Sequence, residues 1–275
     1  MKSSRLELHG HVFAERIQLN FDYRLENAMP NDACLIYVQH GHQKVYSTDA
    51  TIVLSTKDAV LLKCGNYVSD LEMVDQNFEA VVFHFHPESV KKIFNGKPSS
   101  FFKASRQEFS HRVASKVNRN LFLDNYVASL NMYFENPDLI NEALLEVKLQ
   151  ELVLLLADTG NDVIDHLLST MYIKADVQFE QQIEQNLYNK LSVKELSFLT
   201  NRSESTFKRD FKKSYGTSPA KYFRVKKLER GSELLKNTQE PISSIAYDCG
   251  FETPAHFTKC FHDEYGVAPS QYRLT

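Results

Sequence analysis

Six residues in this chain return at a fixed interval. Phe207, Phe211, Tyr215, Gly216, Pro219 and Tyr222 recur fifty positions later as Phe257, Phe261, Tyr265, Gly266, Pro269 and Tyr272. Further upstream, at an interval of forty-nine, Val193, Leu196, Ser197 and Asn201 return as Ile242, Ile245, Ala246 and Gly250, and one extra residue near Glu252 accounts for the changed interval. A repeat obliges both copies to adopt one local fold, and two copies are too few for a stacked solenoid.

Each copy has the chemistry of a helix-turn-helix. Val193/Leu196 and Ile242/Ile245 stand three residues apart, on one helix face. The small Ser197 or Ala246 lets a second helix cross closely. Asn201 and Gly250 are residue types that tolerate the left-handed backbone of a tight turn. Ser203 and Thr253 are good N-caps for the next helix. Phe207/Phe211 and Phe257/Phe261 then lie one turn apart on its buried face, and Gly216 and Gly266 end it. Pro219 and Pro269 suit the first turn of the helix that follows. A long Lys- and Arg-rich helix, Pro219–Lys236, joins the copies and would hold them at a fixed separation. Two such helices can enter successive turns of the DNA major groove, about 34 Å apart.

At these residues the chain resembles the AraC/XylS family of transcription regulators. The likeness covers roughly Leu191 to Arg273. It is strongest from Ile245-Ala-Tyr-Asp-Cys-Gly-Phe251 through His256-Phe-Thr-Lys-Cys-Phe261 to Tyr265-Gly-Val-Ala-Pro-Ser-Gln-Tyr-Arg273. Asn201 departs from the glycine many members carry in the first unit. Pro254-Ala255 departs at the start of the second recognition helix and offers few hydrogen bonds, which implies weak or mostly apolar base reading there, for example of thymine methyls. The resemblance implies a cupin-like antiparallel β-barrel in front, followed by helices that dimerise. The expected fold is therefore α+β: that barrel with its helices over residues 1–165, then an all-α domain over 175–275 with two helix-turn-helix units.

With the paired phenylalanines inward, Ser205, Lys208 and Arg209 face outward on the first recognition helix, and Ala255, His256 and Lys259 on the second. These six are the expected base contacts, with Arg209 and Lys208 suited to guanine N7 and O6. Thr217, Ser218, Lys221 and Arg224 are expected at phosphates, near the free N–H groups of the linking helix. The charge distribution agrees. The formal net charge of −3 divides unevenly, with 25 acidic against 17 basic residues up to Asn189 and 15 basic against 10 acidic from Lys190 onward. The expected partner is double-stranded DNA at two adjacent major grooves, with RNA polymerase as the downstream partner of an activator.

The front half reads as six to eight short strands between Ala33 and Phe85, such as Cys34–Val38 and Ala80–Phe83. Helices are expected over Glu88–Phe94, Ser105–Asn118, Asn120–Phe134, Asp138–Asp158 and Gln178–Asn189, with a partly helical hinge at 157–175. The apolar stripe of 138–158 is wide for one packing face. It fits either a fully buried core helix or a helix that also packs on a second copy. Leu145, Leu149, Leu152 and Leu156 are the expected homodimer contacts.

His40-Gly-His42 and His84-Phe-His86 have the spacing that brings two imidazoles to one strand face. No acidic residue follows at cupin spacing, so both pairs are read as structural, with no metal and no cofactor expected. No phosphate loop, nucleophile elbow or catalytic constellation is present. Four cysteines without a CxxC spacing, no long apolar run and no signal-peptide core suggest a cytoplasmic chain with no membrane partner, nucleoid-associated when bound to DNA. Three readings follow: a DNA-binding regulator sensing a small-molecule effector, the same regulator controlled by a regulatory protein, and a metal-binding cupin enzyme with an appended DNA-binding domain.

Overall fold

The computed structural model describes residues 2–29, 32–94, 112–170 and 178–274. The chain divides into two compact units, Met1–Val177 and Gln178–Thr275.

In the first unit the strands are β1 (Lys2–Leu8), β2 (His11–Leu19), β3 (Tyr23–Met29), β4 (Ala33–His40), β5 (His42–Tyr46), β6 (Thr51–Leu54), β7 (Ala59–Leu62), β8 (Gly65–Glu72), β9 (Phe78–Phe85) and β10 (Ala114–Val117). They form two antiparallel sheets, one ordered β1-β2-β9-β4-β7-β10 and the other β3-β8-β5-β6. The helices are α1 (Pro87–Ile93), α2 (Leu121–Glu135), α3 (Glu142–Ala157) and α4 (Asp162–Ser169).

The apolar runs of the central strands follow from their position between two layers. Along β4, Cys34, Ile36 and Val38 pack toward the four-stranded sheet. Leu35 and Tyr37, alternating with them, pack toward α2, α3 and α4. A strand buried on both faces loses polar alternation and reads as a continuous apolar run. The antiparallel sheets followed by helices are as expected, in the form of two hydrogen-bonded ladders stacked face to face. Strands β1, β2 and β3, ahead of Ala33, were not anticipated. β1 and β3 are edge strands with exposed polar residues, so their sequences carry little apolar signal.

The helix expected over Ser105–Asn118 is corrected where it is described. Residues 114–117 form β10, paired antiparallel with β7; residues 105–111 lie outside the described residues. Ala114 and Val117 are buried and join the sheet, a long-range pairing that local periodicity does not register. Likewise α3 starts at Glu142, where Asn141 caps it by accepting from Leu144 N. The first unit does not stop at 165, because α4 runs through that position and buries Ile164, Leu167 and Leu168 in the same core. His40 and His42 do not share a strand face. Gly41, at φ +98°, separates β4 from β5 between them.

In the second unit the helices are α5 (Phe179–Gln185), α6 (Val193–Leu199), α7 (Glu204–Tyr215), α8 (Pro219–Asn237), α9 (Ile242–Asp248), α10 (Pro254–Tyr265) and α11 (Pro269–Tyr272). Among the described residues, no helix is long and apolar enough to cross a membrane.

Candidate nucleic-acid interface

The two turns of the repeat are built from the same hydrogen bonds. After α6, Asn201 N donates to Phe198 O at 3.0 Å and Arg202 N to Ser197 O at 2.9 Å. After α9, Gly250 N donates to Tyr247 O at 2.8 Å and Phe251 N to Ala246 O at 3.0 Å. Both are Schellman closures, which need a left-handed residue just past the helix end. Asn201 (φ +55°) and Gly250 (φ +76°) supply it.

The second helix of each unit is capped alike. Ser203 Oγ accepts from Thr206 N, and Thr253 Oγ1 accepts from His256 N, both at 3.2 Å. Left-handed Gly216 and Gly266 end α7 and α10. Phe207, Phe211, Phe257 and Phe261 are all fully buried. Each pair anchors an aromatic cluster, with Phe211 at 4.5 Å from Tyr215 and 5.4 Å from Tyr222, and Phe261 at 4.5 Å from Tyr265 and 5.1 Å from Tyr272. Helix α8 links the two cores. Tyr222 and Phe223 pack in the first, and Leu228 and Leu235 in the second. Its nineteen residues span about 28 Å at 1.5 Å per residue.

Burial of those phenylalanines fixes which side chains face solvent. Ser205, Lys208, Arg209, Ala255, His256 and Lys259 are all exposed, as are Ser218, Lys221 and Arg224, while Thr217 is half-buried. Lys208 Nζ lies 3.3 Å from Glu204, and Arg209 Nε lies 3.6 Å from its neighbour Asp210. These are exposed pairs of the kind that contribute little to stability. Ser218 Oγ caps α8 by accepting from Lys221 N.

Not every cation of the unit is available. Arg202 contacts Asp210 at 3.2 Å and stacks over the Phe179 ring at 4.4 Å. Lys227 donates to Gly250 O at 3.0 Å, and its burial lowers its pKa. Cys34 and Cys249 are buried in the two cores. Burial pushes the Cys249 thiol up to about 11 and the Cys34 thiol up to about 12.

Two further features complete the site. Helix α5 contributes Phe179 and Ile183 to the core of the first helix-turn-helix, with Phe179 set edge-on to Phe207 at 5.6 Å. Their spacing, four residues apart, was the available signal. Lys212 joins Lys208, Val193, Ser218, Pro219 and Ala220 around a groove of about 250 Å³ between α7 and the start of α8. It stands one turn beyond Lys208.

The four leucines expected as dimer contacts pack inward. Leu145, Leu149, Leu152 and Leu156 are buried in the first unit's own core, so they are not an outward face. The large apolar residues that α3 exposes are Val147 and Leu154, 57% and 41% accessible.

Comparison with known proteins settles the relationship. Residues 196–275 match the family described as a helix-turn-helix domain, and residues 33–166 match the ExsA N-terminal regulatory domain. The chain is 36% identical over 93 residues to the multiple antibiotic resistance protein MarA of Salmonella typhimurium, covering 34% of this chain and 73% of MarA. The chain belongs to the AraC family. Another relative of this family member is the probable transcriptional regulator LumQ of Photobacterium leiognathi, 35% identical over 98 residues, which are 36% of this chain and 40% of LumQ. The matched region thus spans well under two thirds of LumQ. A structure of ToxT from Vibrio cholerae aligns with 95% of this chain and 96% of its own, at 15% identity and a TM-score of 0.39, a likeness too loose to carry weight.

Proposed function

We propose that this AraC-family chain is a sequence-specific, double-stranded-DNA-binding transcription regulator, acting as an activator. The observation that carries this reading is the pair of helix-turn-helix units with identical turns and caps, joined by one continuous helix. Helices α7 and α10 are the reading helices, set in adjacent major grooves. Ser205, Lys208 and Arg209 supply most polar base contacts, and Lys259, His256 and Ala255 the fewer contacts of the second helix-turn-helix. Lys221 and Arg224, with Thr217 and Ser218 at the start of α8, meet phosphates, and Lys212 joins them.

The first unit is the regulatory part. Side chains including Leu19, Met29, Val38, Leu54 and Phe78 pack together between its sheets. Its role is to sense an effector, to dimerise, or both; control by a regulatory protein is the alternative reading. A homodimer, contact with RNA polymerase and a cytoplasmic location complete the proposal.

The test is selection of binding sites from random duplex DNA, followed by titration of the selected site at fixed salt. Arg209→Ala should weaken binding roughly 5- to 150-fold, which is about 1–3 kcal/mol, and relax preference at one base pair. Lys221→Ala should weaken all sequences alike and lower the salt slope by about 1. Failure to enrich any sequence refutes the reading, as does an Arg209→Ala chain that binds like the parent.

A further inference from the structure

Three side chains of the first unit converge at a place that the function proposed above does not use. His11 opens β2. His86 follows β9 and is the N-cap residue of α1, and Glu88 lies in the first turn of that helix. One imidazole nitrogen from each histidine and one carboxylate oxygen of Glu88 all lie within 4.8 Å of one another. The two imidazoles stack, with centroids 3.4 Å apart and planes 15° from parallel. Glu88 Oε2 is 3.5 Å from His11 Nε2. Asp32, just ahead of β4, places Oδ1 3.9 Å from His86 Nε2.

Local backbone features bring these groups together. Leu6 pairs with Ala14 but Glu7 pairs with Val12, so Phe13 is an extra residue in β2. A bulge re-aims the strand beyond it. Phe13 and Ala14 both enter the core, and His11 is left half-exposed at the strand's start. At the other side, Pro87 ends β9 and starts α1, which holds His86 extended (φ −68°, ψ 134°). Glu88 follows within the same turn.

One nitrogen of His86 is left without a protein partner. Its side chain makes no capping hydrogen bond to α1, and its Nδ1 is buried with no hydrogen-bond partner. A buried polar atom left unpaired is costly, and a ligand on it would relieve that cost. Two imidazole nitrogens with a carboxylate are the donor set of borderline divalent ions, whereas magnesium and calcium take oxygen ligands.

We propose that His11, His86 and Glu88 bind one divalent first-row transition ion of the zinc type. His86 ligates through its unpartnered Nδ1, and its Nε2 turns to the Asp32 carboxylate, an arrangement that fixes the ring of a metal-bound histidine. Bonds of about 2.0–2.2 Å require the three donors to draw together. Glu88 can do so by rotation, since its side chain is 79% exposed. The ion ties the start of β2 to the junction of β9 and α1. This set differs from the His84/His86 pair singled out by spacing, because His84 lies two residues back along β9 and is not part of the cluster.

The test uses the full chain without a polyhistidine tag, stripped with a chelator and titrated calorimetrically with zinc chloride. One ion per chain is expected. His11→Ala and His86→Ala should each weaken binding at least tenfold, and Glu88→Gln several-fold. His256→Ala and Cys260→Ser, on the second unit, should leave it unchanged. Cobalt chloride should give the visible absorption of a low-coordinate nitrogen and oxygen site, and this should be lost with His11→Ala. Glu88→Gln alters an exposed side chain, so it reports even if a histidine variant fails to fold. The proposal is overturned by the absence of saturable one-to-one binding, by a Glu88→Gln chain that binds like the parent, or by binding that disappears with Cys260→Ser.

Discussion

Gly231 of α8 lies directly against the ring of Phe257 of α10. A Cβ at position 231 would stand 2.8 Å from Phe257 Cε2 and 3.0 Å from its Cζ. The linking helix and the second reading helix therefore cross at a point where only hydrogen fits. A helical Gly→Ala change ordinarily gains about 0.5–1 kcal/mol. Gly231→Ala should instead lose about 1–3 kcal/mol, because buried Phe257 has to be displaced. Denaturant unfolding followed in the second unit checks this, and an Ala variant as stable as the parent would show that the crossing is looser.

The two turns of the repeat should respond differently to the same side chain. A Cβ on Gly250 would run into the Tyr188 carbonyl and approach Lys227 Nζ at 3.1 Å. Asn201, at the matching position, is exposed and already carries a side chain. Asn201→Gly is therefore expected within about 1 kcal/mol of the parent. Gly250→Asn should destabilise the second unit by more than the roughly 1–2 kcal/mol of left-handed strain alone. Equal thermal shifts for the two variants would contradict this asymmetry.

Asp58 ties the first unit's loops to its sheet and gives it an acid sensitivity. Burial by itself would raise its pKa, but hydrogen bonds from Lys116 Nζ (2.7 Å), Ser55 N (2.9 Å) and Arg119 Nε (3.0 Å) outweigh that and hold it low. A carboxylate with a depressed folded value contributes stability above its unfolded pKa of about 3.9, and this is lost as pH falls through the lower folded value. Asp58→Asn should therefore lower stability at neutral pH and flatten its fall in acid. Unfolding curves from pH 7 to pH 2 that stay parallel for the two chains would rule this out.

Helix α3 has one buried face and one outward apolar patch. Leu152 is fully buried, and Leu152→Ala should cost about 2–5 kcal/mol of first-unit stability. Val147→Ser and Leu154→Ser, on the outward face, should leave stability within about 0.5–1 kcal/mol. Any role of this helix in self-association must then show in light scattering of the outward pair. A Leu152→Ala chain with unchanged stability would contradict its place in the core.

How much was legible depended on how local the determining contacts are. The helix-turn-helix repeat could be read because caps, turn residues and the phenylalanine pairs all act within one or two helical turns. Ser203, Thr253, Gly216 and Gly266 each do what their residue type suggests. The exposure of Lys208, Arg209 and Lys259 followed from the burial of Phe207, Phe211, Phe257 and Phe261. The leucines of α3 were harder, because an apolar stripe has the same period whether it meets its own sheet or a second copy.

What the sequence determined by itself was the repeat: two copies of one turn, each with its own cap, its own left-handed residue and its own aromatic anchor. The tertiary structure decided what lies far apart in the chain. It placed β10 beside β7, buried Leu152 in its own unit, set Gly231 under Phe257, and stacked His11 on His86. Local chemistry acts through neighbours a few residues away and leaves a pattern in the letters. Long-range pairing is fixed only when sheets and helices pack, and no spacing within one segment records which partner it will meet.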